Sequence, residues 1–135
     1  MDINLQTAIL GIIAGALGYW FATFSVQPIL VYREVRSRVH SNFIYYAQVT
    51  SPDGLDENMK LLFEERILAN RRTSAELSAA YLELPCWYHL YLNCKKHDPQ
   101  GAATNLIGFS NTYEHEPSHQ SQETIRKKLG LPKGT

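Results

Sequence analysis

The sequence predicts an all-α protein: one N-terminal transmembrane helix running directly into a cytosolic helical bundle. Three observations carry this. No charged residue occurs between Asp2 and Arg33, although the whole chain balances 13 basic against 13 acidic residues. Beyond Arg33, apolar residues recur three and four apart, the spacing of a helix with one face turned to a core. No run alternates apolar and polar residues as a half-buried strand does. A chain of 135 residues holds one modest domain. We divide it into a transmembrane helix (1–31), a cytosolic helical bundle (32–112), and a loop with a short C-terminal helix (113–135).

The uncharged stretch from Ile3 to Tyr32 would form a helix of about 45 Å, whereas a span needs only about 20 apolar residues. The polar remainder is too small to bury such a helix on all sides, so lipid is its expected surrounding. A cleaved signal peptide fits poorly. "MDINLQT" has no basic residue, the apolar run is too long, and the small residues Ala14 to Ala16 lie inside it. Arg33, Arg36 and Arg38 follow the span, whereas only Asp2 precedes it. Positive residues stay on the cytoplasmic side. The amino terminus is therefore expected outside and the body in the cytoplasm, as for a bacterial inner-membrane protein. Tyr19-Trp20 and Tyr32 are alternative interface markers. Pro28 lies between them and favours a kink. We expect the helix to leave the membrane near Pro28 to Tyr32 and continue into the cytosol.

Two rows of small residues run along the span. Gly11 and Gly15 form a Gly-x-x-x-Gly pair that Thr7 extends, and Ala14, Gly18 and Ala22 form a second row. Such rows let helix backbones approach closely in lipid. A single span has no second span in its own chain. Gly11, Ala14, Gly15, Gly18 and Ala22 are therefore the candidate oligomerisation surface, most simply for another copy.

The body reads as successive helices. In "VYREVRSRVHSNFIYYAQV" the apolar row is Val31, Val35, Val39, Phe43 and Tyr46 or Ala47, and Glu34 can pair with Arg38 across one turn. "TSPDG" is a turn, and Asp53 or Asp56 caps the long helix beyond it. That helix, "LDENMKLLFEERILANRRTSAELSAAYLEL", is rich in helix formers. Its expected buried stripe is Met59, Leu62, Phe63, Ile67, Leu77 and Tyr81, and Pro85 ends it. Asn70 to Arg72 read as a solvated face, or as partners for Glu64 or Glu65 of a neighbouring copy. "CWYHLYLN" is a short aromatic helix. Trp87, Leu90 and Tyr91 have core spacing, and Trp87, Tyr88 and Tyr91 form the candidate pocket or partner surface. Asp98 caps the next helix, with Pro99 at its first position. "YEHEPSHQ" reads as a polar loop. "SQETIRKKLGLP" reads as a helix with Lys127 and Lys128 in its last turn and Gly130 beyond it.

The candidate chemistry is thin. A net charge of zero gives no strong signal for nucleic acid. Cys86 and Cys94 read as small buried hydrophobes in a reducing compartment, and their spacing matches no zinc site. His115-Glu116-Pro117-Ser118-His119 matches H-E-x-x-H, which needs both histidines on one face of a regular helix. Pro117 speaks against that geometry, and no third ligand stands at a recognised spacing. We therefore expect no metal and no cofactor. Arg33 and His40, with six residues between them and Glu34 after the Arg, fit the outer limit of the Arg–His motif of HEPN-type ribonucleases.

The span, the basic exit "YREVRSRVH" and the helical bundle together resemble small single-pass membrane accessory proteins of bacterial antiviral systems. One such group, associated with type VI CRISPR loci, has an N-terminal span and a HEPN-like helical body and assembles as a ring with a pore. The resemblance is one of architecture over most of the chain. It implies a non-enzymatic membrane effector that self-assembles, with membrane lipid and further copies as its partners. The alternative is an anchor or scaffold that recruits a cytosolic protein partner. A third reading is a ribonuclease using Arg33 and His40.

Overall fold

The computed structural model describes residues 2–47, 56–111 and 115–133, with residues 115–119 as backbone only. Every regular element among them is helical. The first part is one rod: α1 (Ile3–Phe21), a π-helical turn (Ala22–Val26) and α2 (Gln27–Tyr45). It runs unbroken for 43 residues, about 65 Å. The π turn has a local cause. Pro28 lacks an N–H, and in a regular helix its ring collides with the carbonyl one turn back. The preceding turn widens instead, and the Gln27 N–H donates to the Ala22 carbonyl, five residues behind it. The helix continues through this bulge into α2.

No residue of α1 is buried. Ile12, Leu17, Trp20 and Phe24 all stand outward. The rod's apolar part is the one helix among the described residues long and apolar enough to cross a membrane.

The rest of the chain folds against α2. It forms α3 (Glu57–Leu82), α4 (Cys86–Cys94), α5 (Pro99–Ser110) and α6 (His115–Leu129). Asp56 caps α3 by accepting from the Met59 N–H at 2.8 Å, and Asp98 caps α5 by accepting from Gly101 at 3.0 Å. Each satisfies a donor left free at a helix start. α3 runs antiparallel to α2. Arg38 meets Glu76, and one turn further along α2 the Asn42 amide donates to the Thr73 hydroxyl at 3.1 Å. α5 lies along α3, and α6 closes over α5.

The core is built from Tyr32, Val35, Val39 and Phe43 of α2, Leu77 and Ala80 of α3, Leu84, Leu92 of α4, Ala102, Ala103, Leu106 and Phe109 of α5, and Ile125 and Leu129 of α6. Ala102 and Ala103 leave room for α5 to approach α3, and the Ser74 hydroxyl donates to the Ala103 carbonyl at 2.6 Å across the gap. The expected row on α2 holds from Val35 to Phe43. Val31 does not belong to it. Its place is taken by Tyr32, whose ring is buried edge-on against Tyr88 of α4.

α6 begins earlier than expected. The segment read as a polar loop lies partly outside the described residues, at 113 and 114, and from His115 it is helix. Pro117 sits in the first turn, where the N–H groups have no helical acceptor and proline is tolerated. The turn expected at "TSPDG" also lies outside the described residues. α6 ends as expected at Gly130, whose φ is 67°. The Leu131 N–H donates to the Arg126 carbonyl at 2.8 Å and the Gly130 N–H to the Lys127 carbonyl at 3.3 Å, the Schellman pattern.

Candidate functional site

The basic exit is largely spoken for by the bundle. Arg36 donates to the Leu129 carbonyl at 3.4 Å, at the negative end of α6. Arg38 holds Glu34 at 3.1 Å, the expected one-turn pair, and also Glu76. Arg33 is exposed. Beside these residues an open groove of about 270 Å³ separates α2 from α3. Glu34, Glu76 and Glu83 line it around the single cation Arg38, so it is not a phosphate cradle. His40 is half-buried, and its Nδ1 has no hydrogen-bond partner. It lies two turns beyond Arg33 on α2, and no contact joins the two.

Trp87, Leu90 and Tyr91 of α4 are not core. Trp87 is 51% exposed, Leu90 66% and Tyr91 48%. Positions 87, 90, 91 and 94 share one helix face by their spacing, and that face points away from the bundle. Cys94 belongs to it, and Cys86 is also exposed, so neither thiol is the buried small hydrophobe expected. The inner face of α4 holds the helix in place. Tyr88 meets Tyr32 with ring centroids 6.1 Å apart, His89 meets Tyr81 at 4.5 Å, and Leu92 is buried.

Sequence reasoning missed a polar row inside the bundle. Arg66, Asn70, Thr73 and Ser74 of α3 are buried, so Asn70 is not on the solvated face, although Arg71 and Arg72 are exposed. Arg66 is 1% exposed. Its guanidinium lies 4.3 Å from the Phe109 ring centroid and 5.4 Å from that of Phe63. Phe109 stacks edge-on with Phe43 at 5.5 Å, and Arg126 lies 5.3 Å from the far side of this pair, over Phe43. The Phe109–Phe43 ring pair thus has a guanidinium beside each member, in a cluster drawn from four helices, and the negative faces of the rings favour the cations. Arg66 Nη2 donates to the Phe109 carbonyl at 3.4 Å in the last turn of α5, the dipole end that favours a cation. Nη1 has no partner, and burial pulls the guanidinium below its ordinary pKa.

α3 also carries an apolar row on its outer side. Leu61, Leu68 and Leu82 are 65%, 67% and 74% exposed, and with Ala75 they recur every seven residues. They lie opposite the buried row, with Glu64, Glu65, Arg71 and Arg72 around them. The signal is present in the sequence, because α3 has leucines on two faces, but the buried stripe accounts for only one of them.

His97 packs its ring where a Cβ on Gly130 would lie, and its Nδ1 is buried without a partner. Burial, then the nearby Arg36 and Lys95, hold its pKa below the ordinary value. The folded state therefore disfavours the imidazolium. Above about pH 6.5 the ring is neutral in both folded and unfolded chains, and pH has no effect through it. Below that, the unfolded chain takes up the proton first, and stability falls until the folded ring also titrates. The body's unfolding midpoint is expected to drop as pH falls below about 6.5, and His97→Gln should flatten that slope.

The small residues of α1 face open space. A Cβ added at Gly11, Gly15 or Gly18 would meet no atom within 4 Å, and Ala14 and Ala22 are exposed. The described residues contain no group of three or more His, Cys, Asp or Glu side chains able to hold a metal. The side chains of the H-E-x-x-H segment lie outside the described residues. Comparison with protein-family models, curated proteins and solved structures gave no match.

Proposed function

We propose that this chain is a single-span membrane protein, amino terminus outside and bundle in the cytoplasm, that assembles with copies of itself. One observation carries the reading. The chain has two partnerless apolar stripes, the small-residue rows of α1 and the outer leucine row of α3. Neither is covered by another element among the described residues. Copies in one membrane share an orientation, so their spans run parallel; a two-fold axis along the membrane normal gives an isologous pair, and any other rotation gives heterologous contacts. Such contacts close into a ring when the rotation allows it. The resemblance to pore-forming accessory proteins of bacterial antiviral systems supports a ring acting as a membrane effector. The leucine row of α3 equally suits a cytosolic partner, and this favours the anchor or scaffold as the second reading.

The test fuses the two halves of a split green fluorescent protein after Thr135 of separate copies. Cells making both should fluoresce, because the bodies share the cytoplasm and lie together. If the intact fluorescent protein at the same place is dark, the orientation is wrong. If the intact fusion is bright and the split pair dark, the copies do not associate.

A further inference from the structure

We propose that α4 is a membrane-docking helix whose Trp87, Leu90 and Tyr91 face seats in the lipid headgroup layer beside the span. The proposal rests on the reading that α1 crosses the bilayer. Three observations support it.

The first is depth. The stretch from Ile3 to Tyr32 is about 45 Å as helix, matching a bilayer with its headgroups at about 40–45 Å. Tyr32 therefore stands at the cytoplasmic edge. α3 returns toward that edge, with Glu83 opposite Val31 across the groove. α4 comes directly after it and touches Tyr32 through Tyr88. It thus lies at the end of the bundle from which the span leaves, at the level of the headgroups.

The second is chemistry. The outward face of α4 presents an indole, a phenol and a leucine, the side chains that settle at membrane interfaces. Lys95 and Lys96 stand at its C-terminal end and are exposed, placed to meet anionic headgroups. Asp98, the nearest carboxylate after them, is engaged by the Gly101 N–H and by Lys128 at 3.3 Å.

The third is continuity. Leu30 and Val31, next to Tyr32 on the rod, are exposed apolar residues. The outer face of α4 extends the lipid-facing surface of the span and is not an isolated patch.

The chain has two tryptophans, Trp20 in the span and Trp87 on α4. Trp20→Phe leaves Trp87 as the sole reporter, and Trp87→Phe leaves Trp20. Each full-length variant is placed in vesicles of phosphatidylcholine and phosphatidylglycerol whose acyl chains are brominated either just below the headgroup or near the chain end. The expected result is that shallow bromines quench Trp87 strongly, deep bromines quench it weakly, and acrylamide does not reach it. Leu90→Glu should return Trp87 to acrylamide and leave the Trp20 signal unchanged. If bromines at neither depth quench Trp20, the span reading itself fails. If Trp20 is quenched while Trp87 answers only to acrylamide, the docking proposal is overturned and the span stands. If Trp87 is shielded from both bromines and acrylamide, a second copy covers α4, and the lipid assignment is again overturned.

Discussion

Replacing Phe109 with Ala should destabilise the helical body by about 3–5 kcal/mol, measured as a fall in the urea midpoint at constant slope. The ring is 2% exposed and packs edge-on to Phe43. Its loss leaves a cavity where α2, α3 and α5 meet. It also removes the aromatic face over Arg66, which has no carboxylate partner among the described residues. The Phe109 carbonyl and the Phe63 ring remain beside the guanidinium, but a buried cation that loses its nearest ring is left less well compensated. Arg66→Met should behave differently. It exchanges an unpaired buried charge for a flexible apolar chain, a change that is often neutral or stabilising. Phe24→Ala, on the exposed rod, should leave the body's midpoint unchanged. A Phe109→Ala loss below about 1 kcal/mol would mean the cluster of rings and guanidiniums does not hold the bundle together.

Leu68→Glu should abolish association of copies while the body stays folded. In the single chain Leu68 is 67% exposed, so a carboxylate there costs the monomer little. Between packed copies the same carboxylate would be buried without a partner, a penalty of several kcal/mol. Gly15→Leu should act on the same assembly from the span, because added bulk where backbones approach costs about 1–3 kcal/mol per contact. Ile13→Leu, a swap of equal volume, should be silent. The readout is chemical cross-linking between copies, with helical content followed in parallel. If Leu68→Glu is silent and Gly15→Leu is not, the spans alone carry the assembly. The reverse outcome assigns it to the bundle.

The range of each interaction decides how much of the fold is legible in the sequence. The rod can be read because an uncharged run is a local property, and so can the caps, because Asp56, Asp98 and Gly130 act within a few residues. Pro117 misleads for a local reason: a residue that breaks a helix interior is harmless in the first turn. The polar row of α3 is not legible. Arg66 is placed by the ring and carbonyl of Phe109, 43 residues away, and no window of sequence shows that contact. The candidate site is legible in its parts. Spacing marks Trp87, Leu90 and Tyr91 as one face, but periodicity does not say whether that face meets a core or a different medium. The Tyr32–Tyr88 contact, formed only on folding, turns it outward beside the rod. The seven-residue row of α3 is visible in the sequence too, but its inner face offers the more obvious core pattern and hides it.

Self-assembly in the membrane is tested most directly by the mass of the full-length chain in mild detergent, measured by light scattering with the detergent contribution subtracted. A chain beginning at Tyr32 is measured alongside it. The expected result is a discrete multiple of the single-chain mass for the full-length protein, reduced by Leu68→Glu and by Gly15→Leu. A full-length particle with the mass of one chain in every detergent tried would contradict self-assembly and leave the protein a monomeric anchor.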